Sequence, residues 1–180
     1  MFPQTPAAPI ERNLPAILAA LHNAGLDDAR MLLTALSTIR AEVECFEPIE
    51  EAMSGWNTSP GGHPFDLYDH RPGLGNCGAP DGATFRGRGF VQLTGRRNYI
   101  IFGAASGTPG LASDPARACD PDVAARLLAA FLKARRPAIT AALLADDLPR
   151  ARRLVNGGEN GLLRFTDAYR RGERLLGLVR

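Results

Sequence analysis

The sequence predicts a mainly α fold in a single domain. Apolar residues recur at helical spacing in several separate segments, no stretch alternates apolar and polar residues long enough to make a strand, and no segment repeats. At 180 residues the chain suits one domain with a full hydrophobic core and leaves little room for a second.

The elements follow in order. Residues 1–12 form a Pro-rich lead-in, expected to be poorly structured. NLPAILAALHNAG then reads as a helix capped by Asn13 and stopped by Gly25. In DDARMLLTALSTIRAEVECF, residues Leu32, Leu36, Ile39 and Val43 make one apolar stripe, and Asp27 and Asp28 suit the positive end of the helix dipole. From Ser54 to Gly82 the chain turns to Gly, Pro, Asn, Asp and His. A connection this long in a compact domain is expected to be functional, and we read it as the wall of a cleft. CDPDVAARLLAAFLKAR has Asp120 as N-cap, Pro121 at the first helical position and an apolar face of Ala124, Leu127, Leu128, Phe131 and Leu132. LPRARRLV reads as a shorter helix, NGGENG as a turn, and LLRFTDAYRRGERLLGLV as a closing amphipathic helix.

Composition excludes several classes. With 45% apolar and 22% charged residues the chain should fold. No apolar run approaches the roughly 20 residues that span a bilayer, and MFPQTPAAPIERN has neither a basic n-region nor an apolar h-region. The expectation is therefore a cytoplasmic chain at synthesis, without stable membrane association. The net charge of +2 rests almost wholly on arginine, Lys133 being the only lysine. That is too weak to imply nucleic acid and compatible with an anionic polymer such as a cell wall. Cys45, Cys77 and Cys119 stand far apart and pair with none of His22, His63 and His70 at metal-ligand spacing, so no metal is expected. Reduced thiols are the expected state, with a Cys45–Cys77 bridge as the alternative.

The densest segment is FRGRGFVQLTGRRNY, residues 85–99. It is not a dinucleotide fingerprint, because Gln92 occupies the third glycine position and no βαβ unit surrounds it. Its glycines permit close backbone approach, and Gln92, Thr94 and Asn98 are neutral hydrogen-bonding side chains of short reach, suited to sugar hydroxyls and N-acetyl groups. On composition alone a Gly-rich turn whose polar groups satisfy local backbone is the favoured reading.

FRGRGFVQLTGRRNYIIFG resembles the signature segment of family-19 glycoside hydrolases, the chitinases and related phage and bacterial endolysins. TIRAEVECFEPIEE resembles that family's helix bearing the first catalytic glutamate, FDLYDHRPGLGN its Y-[ED]-x-R-x-x-LGN segment, and LVNGGENGLLRFTDAYRR its closing turn and helix. Together they cover the chain from about Asn13 onward. The resemblance implies a lysozyme-like single domain with a long cleft-wall loop. It further implies a monomeric, endo-acting, inverting glycosidase that cuts β-1,4 bonds beside N-acetylglucosamine in peptidoglycan or chitin, without cofactor. Access to the wall would follow release through a separate membrane pore. The alternative is a catalytically degenerate sugar-binding module of the same fold.

Residue by residue, the resemblance assigns the general acid to Glu42, which lies about 80° from the apolar stripe at the boundary with solvent. Glu44 is its neighbour and rival. Ala41 stands where plant members have histidine, and Val43, Glu44 and Cys45 where they have small residues. The base that activates water falls on Asp69, 69 − 42 = 27 residues later and one methylene shorter than the glutamate of many members, with Glu50, Glu51 and Asp66 as further candidates. Thr94 matches the hydroxyl that orients the water. Gln92, Asn98 and Asn156 match substrate-binding positions, Tyr99 either packs beneath them or is a core aromatic, and Arg164 matches an arginine of the last helix that commonly falls one residue later, at Phe165. Arg86 and Arg88 are expected to pair with carboxylates behind the cleft.

Overall fold

The structure, a computed structural model, describes residues 1–178. Nine α-helices account for most of these: α1 (Ala7–Asn23), α2 (Ala29–Val43), α3 (Asp66–Asp69), α4 (Asp81–Thr84), α5 (Arg96–Ala105), α6 (Pro121–Lys133), α7 (Arg136–Leu144), α8 (Leu148–Asn156) and α9 (Leu162–Leu175). Among the described residues the β-type pairing consists of two isolated bridges, Glu50 with Arg88 and Arg88 with Leu93. The fold is mainly α, and no helix of the described residues is long and apolar enough to cross a membrane.

α1 packs on α6, α2 on α9, and α7 on α8, while α5 closes against α6. Their buried apolar side chains form one cluster that runs from Ile17 and Leu21 through Ile39, Phe46, Phe90, Leu127 and Leu128 to Phe165 and Tyr169. α2 is buried far beyond a single stripe. Met31, Leu33, Ala35, Ile39 and Val43 are all within the core, whereas Leu32 and Leu36 are only half-buried at its edge. The helix has neighbours on several sides, since it meets α9, α6 and α7. Asp28 caps it by accepting from the Met31 N–H at 3.0 Å.

Two boundaries and several elements differ from expectation. α1 starts at Ala7, inside the supposed lead-in, and Asn13 lies within it rather than capping it. Asn13 is fully buried because its Nδ2 donates to the Phe46 carbonyl at 2.9 Å and to Glu47 at 3.0 Å. It thereby fastens α1 to the turn that follows α2. α5 and α7 have no counterpart in the sequence reading. α9 ends at Leu175, and Val179, which the expected closing helix included, lies outside the described residues. Asp120 takes the N-cap conformation of α6 without a side-chain capping bond.

Between α2 and α5 the chain is mostly loop, but it is tied down. The Glu51 N–H donates to the Gly87 carbonyl at 2.8 Å and the Gly89 N–H to the Ile49 carbonyl at 3.0 Å, so residues 49–51 lie along the glycine-rich segment. α3 packs on α4. All three cysteines are free, with Cys45 and Cys77 exposed, so the Cys45–Cys77 bridge is not formed.

Candidate active site

Glu42 sits in the last turn of α2, with its side chain only 15% exposed. Arg152, on α8 and 1% exposed, reaches it with Nη2 at 2.8 Å from Oε1. Asn156 is four residues further along the same helix and therefore on the same face. With its amide nitrogen toward the acid, Asn156 donates to Glu42 Oε1 at 3.2 Å, and its oxygen accepts from Arg152 Nη2 at 3.2 Å. Arg152 is held from behind by the Asn160 carbonyl, 2.8 Å from Nε. Desolvation raises the Glu42 carboxyl above its ordinary value of 4.5. The charge and hydrogen bond of Arg152 oppose this, and the negative charge of Glu51 adds to it.

Glu51 faces Glu42 across a cavity of about 240 Å³ whose other lining residues are Tyr68, Gln92, Thr94 and Asn156. Its two oxygens are occupied by fixed donors. Tyr68 Oη and Asn57 Nδ2 each donate to Oε1 at 2.9 Å, and the Gly87 N–H donates to Oε2 at 3.0 Å. The Tyr68 hydroxyl, through burial and then its bond to Glu51, is pushed up to about 12, so it remains a donor across the working pH range. Gly87 owes its identity to this junction. A Cβ there would lie 2.8 Å from Gln92 Oε1, 3.0 Å from Glu51 Oε2 and 3.2 Å from Thr94 Oγ1.

The polar residues of the motif divide by what they touch. Gln92 lines the cavity but adopts a left-handed φ of 49°, and its amide nitrogen is spent on the Ile49 and Gly89 carbonyls at 3.0 and 3.1 Å. A non-glycine residue in that region is strained by about 1–3 kcal/mol. These two bonds lock the strained turn and leave the amide oxygen as its free polar group. Thr94 Oγ1 donates to the Gln92 carbonyl at 2.9 Å, which leaves its lone pairs able to accept from a water. Asn98 donates to the Thr94 carbonyl at 2.7 Å. It lines an adjoining cavity of about 180 Å³ that shares Gln92, Thr94 and Asn156 with the first and is floored by Leu74, Val91, Leu93, Phe131 and Val155.

Glu42, Thr94, Gln92, Asn98 and Asn156 are thus brought together. Asp69, Tyr99 and Arg164 are not. Asp69 is 2% exposed and staples the cleft-wall segment internally, Oδ1 accepting from the Gly82 N–H at 2.7 Å and Oδ2 lying 3.1 Å from His63 Nε2. Consecutive residues of a helical turn point about 100° apart, so when α3 directs Tyr68 at Glu51 it directs Asp69 away, into α4. The carboxylate facing Glu42 is Glu51. Tyr99 is fully buried core, its hydroxyl donating to the Arg86 carbonyl at 2.8 Å and accepting from Arg88 Nη1 at 2.9 Å. Arg164 is exposed and its Nε lies 3.5 Å from Glu44, outside the cavity. The arginine that meets the acid is Arg152.

No protein-family model and no curated protein matches the chain.

Arg86 and Arg88 both pair with Glu50, Arg88 through Nε at 2.7 Å. Partial burial pulls the other way, but their hydrogen bonds and charges hold the Glu50 carboxyl below the usual glutamate range. Glu50 and Glu51 therefore divide the work, the first anchoring the arginines and the second entering the cavity. Adjacent residues of an extended segment point to opposite sides, which is why one of the pair can face the cleft while its neighbour braces it. Among the described residues no group of three His, Cys, Asp or Glu side chains is assembled that could hold a metal ion.

Three site residues escaped the sequence reading: Arg152, Asn57 and Tyr68. Arg152 carried a signal, its i, i+4 relation to Asn156 on an amphipathic helix. Asn57 carried none, since its role depends on the fold of the loop.

Proposed function

We propose that the chain is a lysozyme-like glycoside hydrolase of the family-19 type, cutting β-1,4 bonds beside N-acetylglucosamine in peptidoglycan or chitin with inversion. The observation that carries this reading is the pairing of Glu42 and Glu51 across one cavity, the first desolvated and raised, the second fixed by three donors. Two unlike carboxyl environments are what separate an acid from a base at the same pH.

In the reaction Glu42 gives its proton to the glycosidic oxygen as the bond from the anomeric carbon breaks. Glu51 takes one proton from a water that attacks the opposite face, while the Thr94 oxygen accepts a hydrogen bond from the water's other O–H, which stays on the product as the anomeric hydroxyl. A cavity of about 240 Å³ leaves room for that water, whose share of liquid volume is about 30 Å³, beside the sugar. The adjoining apolar floor with Asn98 at its rim suits an N-acetyl group, methyl inward and amide to the rim. Purified protein should cleave an N-acetylglucosamine hexamer or peptidoglycan strands and release the α-anomer, followed by NMR during the first turnovers. Release of the β-anomer would replace inversion by retention, and absence of turnover on every polymer would leave a sugar-binding module of the same fold.

The alkaline limb of kcat/KM should follow Glu42 and lie above pH 4.5, because the raised carboxyl keeps its proton past the ordinary glutamate value. Glu51→Gln removes the charge that helps raise Glu42, so the proton should leave Glu42 at lower pH. The infrared band of the protonated carboxyl, followed through a pH titration of that variant, reads the shift directly. An unchanged or upward shift would contradict the coupling.

Gly87→Ala should lower turnover by less than the about 10²-fold that a misplacement of about 1 Å costs, since an added Cβ makes Gln92 Oε1, Glu51 Oε2 and Thr94 Oγ1 each give by only a few tenths of an ångström. Steady-state kinetics beside a urea unfolding curve separates this from a loss of fold.

A further inference from the structure

Trp56 is the only tryptophan of the chain and is 88% exposed. Its turn is not loose. Asn57, fully buried, accepts from the Ser54 N–H at 2.8 Å and donates to the Ala52 carbonyl at 2.9 Å, and the Thr58 N–H closes the turn on the Ser54 carbonyl at 2.9 Å. The Leu67 N–H adds a bond to the Asn57 carbonyl at 3.2 Å. The same Asn57 amide touches Glu51 Oε1, so Trp56 stands one residue, about 3.8 Å along the chain, from a direct partner of the cavity carboxylate. Met53 and Ile49, on the same stretch, are 62% and 44% exposed. An indole standing in water on a hydrogen-bonded turn, where the backbone is already ordered, has only its own side-chain freedom to lose when something flat settles on it.

We propose that Trp56 is a stacking platform for a further sugar ring of the substrate, beyond the residues that flank the cleaved bond. This rests on the glycosidase reading and extends it to the length of polymer the site prefers. A β-1,4-linked N-acetylhexosamine carries its substituents around the ring edge and presents flat faces of C–H groups, which match an aromatic plane. The edge groups stay in water. The chemistry is common to chitin and to glycan strands of peptidoglycan, and Trp56 recognises the ring they share.

Because Trp56 is the sole tryptophan, its emission reports on the platform alone. In full-length Glu42→Gln protein, an N-acetylglucosamine hexamer should shift Trp56 emission saturably, and a dimer, confined to the cavity, should not. In the active protein Trp56→Ala should raise KM for the hexamer about tenfold with kcat little changed, the factor expected for uncovering one apolar sugar face, and Trp56→Phe should recover part of it. Peptide-free peptidoglycan strands beside the chitin hexamer show which source is held better, and a shift with either supports the platform. Hexamer binding seen by calorimetry without any change in emission, or an unchanged KM in Trp56→Ala, overturns the platform and leaves the glycosidase reading standing. Failure of the wild type to bind or cut any oligomer overturns both. An emission shift with anionic lipid vesicles and none with sugars overturns it in favour of a membrane surface.

Discussion

Glu42→Gln is expected to lower hydrolysis of an N-acetylglucosamine hexamer by about 10²–10⁴-fold while the substrate still binds, because the variant keeps the shape of the acid and loses its proton. The site tolerates the change. Arg152 retains the Asn160 carbonyl, and the Asn156 oxygen stays within reach, so the arginine is not left without acceptors. Single-turnover kinetics and calorimetry on the same preparation make the measurement. Equal loss of binding and turnover would point to a collapsed pocket, and undiminished turnover would remove Glu42 from the chemistry. Glu44→Gln is the control, since Glu44 turns to Arg164 outside the cavity and its loss should change the rate little.

Arg152→Met should carry the largest stability cost of the substitutions considered, about 3–5 kcal/mol at neutral pH, the range for removing one member of a buried ion pair. Arg152 is 1% exposed and Glu42 15%, so water does little to screen the charge left behind. The cost depends on pH, and its sign follows from Glu42. Arg152 is what holds the raised carboxyl down, so its removal raises the folded-state value further. A group with a raised folded value contributes its stability fully below the unfolded value, here about 4.5, and loses it as pH rises through the folded one. Urea unfolding should therefore show the deficit smallest in acid and growing toward neutrality, and Glu42→Gln in the same chain should restore part of it. A deficit independent of pH would mean that Arg152 acts by packing alone.

Much of the local structure was legible. The stripe of Ala124, Leu127, Leu128 and Leu132 behind Pro121 specified α6, because one face of that helix meets core and the other water. Gly87 and Gly89 were read as bringing backbone to a sugar, and what the structure shows beside them is the protein's own Glu51 and Ala118, each at a distance that leaves no room for a Cβ without a shift. α2 was read as one-sided although it is enclosed by three helices, and Thr34, Ser37 and Thr38 are buried along it. Thr34 and Thr38 hide their polarity by donating to carbonyls four residues back, at 2.8 Å each, so composition did not betray their burial.

The sequence by itself determined that the segments of α2, α6, α8 and α9 and most of α1 are helical, and that Glu42 stands at a core boundary. These are local properties, settled by periodicity. Only the tertiary structure decided that Glu51 and not Asp69 faces Glu42, that Arg152 and not Arg164 meets its carboxylate, and which of two readings, beneath the cleft or in the core, holds for Tyr99. Each of those outcomes depends on where separate segments come to rest against one another, and a rotation of about 100° between neighbouring residues of α3 is enough to turn one side chain, Tyr68, toward the cavity and the next, Asp69, into the loop.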